Sequence, residues 1–587
     1  MSENAERKAS SKYEELLSLA KRRGIFWNSY EIYGGVAGFY DFGPIGVLLK
    51  RNLVNEWLNR FVYMTGGMVI EIETPIINPR RLFQASGHED HFTDPVTECL
   101  KCGRVYRVDH LLKEVLNIDA EGLSLEELWK IMTERNVRCP ECGGELSRPK
   151  AALLLFKTEI GPYKGQLGYL RPEHAQGMFI NFRNGLLFVR DRMPFGIAQV
   201  GKVARNEISP RQGLMRLREF TISELEFFFD PQDSKTPMEM LEEFKEVEMN
   251  VLTAEARLRG ATEARKFKAI ELVESGVVKT PWLAYWMAVG QVFVTGLGIP
   301  AEAVRFVEKL DRERAHYSAQ TFDQEVLTSA FGWMEVAGYA YRTDYDLRRH
   351  AEFSGADMTF FKRYERPVER TVRKVTFNYE EIKRVAGEKY QKVIKALSAM
   401  DQEDLARRLL EQGSVEVEGV KLDSRSLVVK EEREVVSGEK IVPHVVEPSF
   451  GIERLLYALV EHSLKRVEGR LVLSLNPRIA PYQVAVFPLL TSGDDGKAMV
   501  RMALSIYKQM LGRGFKALYD DEGSIGRRYA RADEIGVPYA VTVDHQSLKD
   551  GTVTIRFRDT REQIRVSAKE LVHTLRNLLE GPDELKV

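Results

Sequence analysis

The sequence predicts an α+β core, a small cysteine-bearing insertion within it, and a C-terminal α/β domain. Three observations predict this. Residues 203–229, VARNEISPRQGLMRLREFTISELEFFF, read as two strands joined by a loop. The four cysteines fall as two C-x-x-C pairs, Cys99 with Cys102 and Cys139 with Cys142. Beyond Asn476-Pro477 and Ala480-Pro481, strand and helix patterns alternate in order, as in a small domain with a largely parallel sheet.

Composition bounds the rest. At roughly 150 residues per domain, 587 residues make about four domain-sized units, some of them insertions. The 44% hydrophobic and 29% charged content suits a soluble globular chain with sizeable cores. Net charge is −1, so any nucleic-acid surface must be local. The N-terminal MSENAERKASSKYEELLSLAKRRG has no apolar core of a signal peptide, and no run of 18 apolar residues occurs. A cytoplasmic protein without membrane contact is expected.

In chain order, residues 12–23 and 44–64 read as helices, with a glycine-punctuated stretch between them. GGMVIEIETPIINP (66–79) alternates like a strand and stops at a proline. A Leu/Phe strand lies near 151–157. Residues 236–330 are strongly charged and mostly helical in pattern. Residues 331–358 return to a strand followed by a polar, glycine-containing loop. Residues 365–440 read as an insertion, and 444–464 as a strand, a turn and a buried helix.

On the hairpin, Arg205 and Glu207 share one parity of the first strand. Arg218, Phe220, Ile222, Glu224 and Glu226 share one parity of the second. Cation, ring and carboxylates together suit holding a phosphate, stacking a base and gripping an amine. A solvated edge face is the alternative for the charges alone. Each cysteine pair sits in a glycine-containing turn that can present two thiolates to one tetrahedral zinc. The 36 residues between the pairs contain LSLEELWKIM, a helix able to fold back and join them. Four thiolates leave no open position, so such an ion is structural.

With these pieces in order, the chain resembles the dimeric glycyl-tRNA synthetase family of class II aminoacyl-tRNA synthetases over nearly its whole length. TGGMVIEIETPIINPRRLFQASGH resembles motif 1, ending its strand at Pro75. The hairpin matches motif 2, and GIER, Gly451 to Arg454, matches motif 3. YGGVAGFYDFGPIG, RPEHAQG, GYAYRTDYDLRRH, EPSFG and SIGRRYARADEIGVPYAVTVD look like segments specific to that family. His174 departs from it, standing where the family usually has threonine.

The resemblance implies an α+β catalytic core with an antiparallel sheet, a C-terminal α/β anticodon-binding domain and a zinc-binding insertion. The implied divisions are core at 1–96 with motif 1, zinc insertion at 97–148, core at 149–235 with motif 2 and a helical insertion at 236–330. Core at 331–364, a second insertion at 365–440, core at 441–476 with motif 3 and the anticodon-binding domain at 477–587 complete them. It also implies a homodimer, because motif 1 lies at the class II subunit interface.

The implied reaction joins glycine to ATP as glycyl-adenylate and then passes glycine to the 3′ end of tRNA(Gly). Arg205 and Arg454 are the implied catalytic cations. Arg205 would take the α-phosphate and the glycine carboxylate, and Arg454 would cover adenine or reach the γ-phosphate. Phe220 would stack on adenine and border the glycine. Arg216 and Arg218 would bind the triphosphate tail, with Asn206, Glu207, Val336 and Gly451 also in the ATP site. Glu335 and Glu447 are expected near Mg2+, with the substrate amine the alternative for Glu447. Glu173, Glu224, Glu447 and Ser449 would grip the glycine ammonium, and Arg107 would contact the substrate. Alanine is rejected by steric clash of one added methyl, so no editing domain is required.

Arg527, Arg528 and Arg531 would contact tRNA phosphates or form a solvated helix face. The insertions at 236–330 and 365–440 would embrace the acceptor stem or shield the core. Two competing readings are a non-catalytic paralogue, which would lose the motif arginines, and a class II enzyme for serine, threonine or proline.

Overall fold

A computed structural model describes residues 3–208, 210 and 213–580; Gln212 of the hairpin loop lies outside them. The chain divides into two compact units. One runs to Met358 and resumes at Pro443, and the other is Thr359–Val442.

The larger unit is organised on a nine-stranded sheet. In chain order its strands are β1 (Val69–Glu71), β2 (Phe195–Ala204), β3 (Glu219–Phe229), β4 (Glu248–Leu252), β5 (Arg265–Lys268), β6 (Val304–Glu308), β7 (Gln320–Thr328), β8 (Gly332–Thr343) and β9 (His444–Gly451). Their spatial order is β5-β4-β6-β7-β8-β9-β3-β2-β1. Only the β1–β2 and β4–β6 pairs are parallel. The expected antiparallel core is therefore present.

One face of this sheet is sealed by helix Pro281–Gly296, PWLAYWMAVGQVFVTG, which is apolar on nearly every side and buried accordingly. Trp286 and Phe293 from it meet Phe61 and Phe450 in a ring cluster with centroids 5.1 to 5.8 Å apart. Gly290 is required here, because a Cβ would lie 1.7 Å from Tyr339 Oη on β8. That hydroxyl instead donates to Gln324 on β7 at 2.8 Å.

Four sequence expectations need correction. Residues 236–330 are not a helical insertion, since they supply β4 to β7 of the central sheet. Part of their charge, including Glu248, Arg265, Lys266 and Glu325, sits on the wetter faces of these strands. Along Gln320–Thr328 burial alternates residue by residue, the period of a strand and not of a helix. The hairpin strands are also shorter than expected. Arg205 N pairs with Arg218 O at 2.9 Å, but Glu207 N turns back to Arg205 O at 2.7 Å and ends the ladder. Arg205, Glu207, Arg216 and Arg218 thus stand in the connecting segment. The polar run after β8 is a helix, Tyr345–Ser354, stopped by Gly355 at φ 75°.

The fourth correction concerns the C-terminal domain. Its sheet has the order Ala517–Tyr519, Val484–Pro488, Tyr539–Val543, Thr552–Phe557, Gln563–Ser567. Only the first three strands run parallel. The chain between Tyr539–Val543 and Thr552–Phe557 is too short for the crossover of a dozen or more residues that a parallel pair needs. Nor is its arginine-bearing helix, Ile525–Glu534, a solvated face throughout. Arg528 is buried and donates to the carbonyls of Asp521 and Gly523 at 2.9 and 2.7 Å. Arg531 pairs with Asp520 at 2.6 Å. Arg528 is thereby occupied inside the domain.

The smaller unit, Thr359–Val442, takes in the 365–440 stretch and begins six residues before it. It pairs two long strands, Phe360–Phe377 and Leu427–Ile441, and packs three helices around Ile382, Val393, Leu397, Leu405 and Leu422. Among the described residues no helix is long and apolar enough to cross a membrane.

Candidate active site

The period of β3 sets the floor of a cavity of about 620 Å3. Phe220, Ile222 and Glu224 share one side of that strand and line it. Beside β3, strand β9 contributes Glu447, Ser449 and Gly451, and β8 contributes Val336 and Gly338. Helix Ile452–Ser463 starts at the rim, and its first turn brings Glu453 and Arg454. Glu453 accepts the Thr221 N–H at 2.8 Å and the Lys50 ammonium at 2.5 Å, tying this helix to β3.

One end of the cavity is cationic and aromatic. The Arg205 guanidinium stands 5.3 Å from the Phe220 ring centre and 5.6 Å from that of Phe92, and its Nε donates to Pro172 O at 3.1 Å. Arg454 donates to Glu335 Oε2 at 3.1 Å and to Met215 O at 2.9 Å. Burial pushes the Glu335 carboxyl up, but Arg454 and Lys309 outweigh it and hold it below its ordinary range. Arg216 and Glu207 line the same end.

The other end is acidic. Glu224 accepts the His174 N–H at 2.5 Å and the Ser449 hydroxyl at 2.9 Å. Burial first, and then Glu447 and Glu173, push its carboxyl up to about 8. Burial also raises Glu447, against the pull of Arg342. Glu173 goes the other way. Burial raises it, but His88 at 3.2 Å and Arg342 outweigh that and hold it well below the carboxylate range. Glu226, next on the same side of β3, is fully buried, and neither carboxyl oxygen has a partner among the described residues. Burial and the Glu447 charge raise it well above its ordinary value.

A single buried guanidinium holds this acidic end together. Arg342 on β8 donates to Asp346 at 2.9 and 3.2 Å and to Glu447 at 2.7 Å, and stands 3.8 Å from Glu173. Its plane lies 3.7 Å from the Tyr317 ring centre. Gln176 bridges Glu173 and Asp346 at 3.2 and 3.0 Å, and its own oxygen lies 2.9 Å from His350 Nε2. Arg342 serves Glu173, Asp346 and Glu447, His88 also meets Glu173, and Glu224 stands beside them. Carboxyls outnumber cations at this end of the cavity.

Most of the predicted site residues meet here. Arg205, Glu207, Arg216, Phe220, Glu335, Val336, Gly451 and Arg454 line the cationic end, and Glu173, Glu224, Glu447 and Ser449 the acidic end. Arg107, Asn206 and Arg218 do not line the cavity. Arg107 is held by Asp109 and Asp94 at 2.7 and 3.2 Å. Asn206 uses its N–H on Leu154 O at 2.7 Å. Arg218 clamps the Glu207 and Ala37 carbonyls at 3.0 Å, fixing the connecting segment where the triphosphate was expected to meet it. The His174 ring turns away from the cavity toward Gly201 O, and burial with Arg171 keeps it neutral, at about 3. The departure from threonine therefore leaves the contact to Glu224, which is made by the main chain.

Sequence reasoning missed His88, Gln176, Tyr317, Arg342 and Asp346. The R-x-x-x-D spacing of Arg342 and Asp346 was visible, but it crosses from a strand into a helix and matches no single period.

The four cysteine sulfurs lie within 4.8 Å of one another, with Cys99–Cys142 at 3.5 Å and Cys102–Cys139 at 3.8 Å. Zinc–sulfur bonds of about 2.3 Å in a tetrahedron put sulfurs about 3.8 Å apart, so the donor set fits such an ion.

A family model described as "tRNA synthetase class II core domain (G, H, P, S and T)" matches residues 156–463, and one described as "Anticodon binding domain" matches residues 483–578. A glycine--tRNA ligase of Aeropyrum pernix is 50% identical, over 97% of this chain and 97% of its own. The chain belongs to the glycine–tRNA ligase family of class II synthetases. Members from Pyrococcus furiosus and Methanocaldococcus jannaschii are 47% and 42% identical, each over 97% of this chain and 99% of its own length. A solved Giardia lamblia prolyl-tRNA synthetase in complex with prolyl-adenylate shares the fold, at a TM-score of 0.52 and 12% identity, over 96% of this chain and 75% of its own. The family's core model spans β2 to β9, which includes the strands first read as a helical insertion.

Proposed function

We propose that this chain activates glycine with ATP and transfers it to tRNA(Gly). The observation that carries the reading is the acidic end of the cavity, where Glu173, Glu224 and Glu447 line the wall with Ser449 and carboxyls outnumber cations. A substrate without a side chain offers only an ammonium and a carboxylate. The ammonium supplies a positive charge, and the carboxylate then points along β3 toward Arg205.

The glycine carboxylate attacks the α-phosphorus of ATP in line, and pyrophosphate leaves. Little proton transfer is needed, so positioning and charge neutralisation do the catalysis. Arg205 binds the α-phosphate and the attacking carboxylate together. Phe220 stacks on adenine, Arg454 covers its other face or reaches the γ-phosphate, and Arg216 meets the phosphate chain. The tRNA 3′ hydroxyl then attacks the carbonyl carbon, and AMP departs. Glu335 would hold the Mg2+ that accompanies the phosphates, because it is charged and opens on the cationic end. Glu447 is engaged by Arg342 and serves the ammonium instead. The non-catalytic reading is disfavoured by Arg205, Arg216 and Arg454, all retained on the cavity wall.

Pyrophosphate exchange with glycine, alanine and serine in parallel tests this. Exchange is expected with glycine and lower by a factor of at least about 100 with the others. Exchange with serine alone would overturn the substrate, and exchange with none would favour the binding paralogue.

The reading includes a homodimer through motif 1, where Ile76 and Ile77 are exposed apolar side chains and Tyr63 and Met64 are exposed just before it, and a structural zinc in the four cysteines. None of the four cysteines forms a disulfide, which leaves all four sulfurs available to the ion. Native mass spectrometry is expected to give two chains with two zinc ions. A metal-free monomer of 67.2 kDa would contradict both.

A further inference from the structure

The cysteine module reaches the cavity through one short run of chain. Tyr106 Oη lies 3.2 Å from Cys139 Sγ, and Tyr106 belongs to strand Val105–Arg107. That strand passes directly into helix Val108–Leu116. At the junction Arg107 is clamped by Asp109 and faces Asp94 at 3.2 Å. Asp109 then accepts the His110 N–H at 2.9 Å, which fixes His110 in the first turn of the helix.

Across from it stands Arg216 of the cavity wall. Its Nη1 and Nη2 lie 3.0 and 3.2 Å from His110 Nδ1 and Nε2. One ring nitrogen of a neutral imidazole can accept from a guanidinium. This ring is neutral: loss of solvent first, and the Arg216 and Arg107 charges next, push it down to about 4 against the pull of Asp109. Glu207 Oε2 lies 3.8 Å from Arg216 Nε, beyond hydrogen-bond reach, so His110 makes the closer contact.

We propose that His110 is the positioning residue for Arg216, holding its guanidinium at the cavity mouth for the phosphate chain of a nucleoside triphosphate. The cysteine module thereby serves the triphosphate end through one histidine. Arg107, expected to touch substrate, anchors that histidine through Asp109. An arginine side chain has many rotamers, and fixing it beforehand spares that entropy on binding. The proposal rests on the reading that the cationic end takes ATP.

The test uses the full chain with His110→Ala, His110→Gln, Arg216→Ala and the His110→Ala/Arg216→Ala double variant. Two readouts are taken: KM values in pyrophosphate exchange, and equilibrium binding of a non-hydrolysable ATP analogue and of AMP. His110→Ala is expected to weaken ATP and its analogue about tenfold, the loss of one charge-assisted hydrogen bond. The KM for glycine and the affinity for AMP stay within about twofold. Gln, which keeps an acceptor, recovers most of the loss, and the double variant is no worse than Arg216→Ala. Unchanged analogue binding, equal weakening of AMP, or additive effects in the double variant would each overturn the proposal. A wild-type chain that binds the analogue through His110 but exchanges with no amino acid would instead sink the glycine reading and leave this one standing.

Discussion

Arg205→Ala is expected to lower pyrophosphate exchange about a thousandfold, roughly 4 kcal/mol of transition-state stabilisation, while the chain stays folded. Charge builds on the α-phosphorus oxygens as the carboxylate attacks, and a fixed guanidinium there acts in a site with little water. Arg205 is fixed by Pro172 O and by the faces of Phe220 and Phe92. Its removal costs the fold about one hydrogen bond, ~1 kcal/mol, and a minor pull on Glu335 that Arg454 and Lys309 already supply. Circular dichroism and a thermal melt check the fold, and exchange checks the chemistry. Retained exchange would refute the assigned role.

The second large effect is on pH. Binding of an ammonium beside Glu224 requires that carboxyl to be charged, yet in the free chain it titrates at about 8. Below that value glycine must displace a proton, so affinity rises with pH. The groups facing Glu224 are Glu447 and Glu173, which raise it, and the His174 N–H and Ser449 hydroxyl, which lower it. Arg171 adds a more distant positive charge. With one proton released per glycine, the KM for glycine falls about tenfold per pH unit from about 6 to about 8 and then levels. The KM for ATP should not follow, since its end of the cavity is cationic. A flat glycine profile across that range would contradict the assignment of Glu224.

Much of this site was legible in the sequence, and the limits have physical causes. The two-residue period of β3 correctly put Phe220, Ile222 and Glu224 on one wall. The same count carried Arg218 onto that wall wrongly, because the strand begins only at Glu219 and the arginine before it turns to main-chain carbonyls. Arg342 stayed hidden because its partners are remote in the chain: β8 and β9 pair Ala340 with Glu447 across an entire separate unit. Local pattern cannot reveal a register set by that distance. The misreading of 236–330 has a different cause. Strands with one wet face carry as much charge as surface helices, and only the alternation of burial separates them. The meeting of the cysteine pairs was legible because their spacing suits one tetrahedral site, and the four sulfurs lie within 4.8 Å of one another. What spacing did not convey was His110, a contact made through tertiary packing alone.

The central claim is that the acidic end, where carboxyls outnumber cations, takes the glycine ammonium in exchange for the Glu224 proton. Titrating glycine into the protein by calorimetry at pH 7, in two buffers of different ionisation heat, tests this most directly. The account predicts release of about one proton per glycine bound, vanishing above about pH 8.5. Tight glycine binding at pH 7 with no proton released, or with uptake, would contradict it.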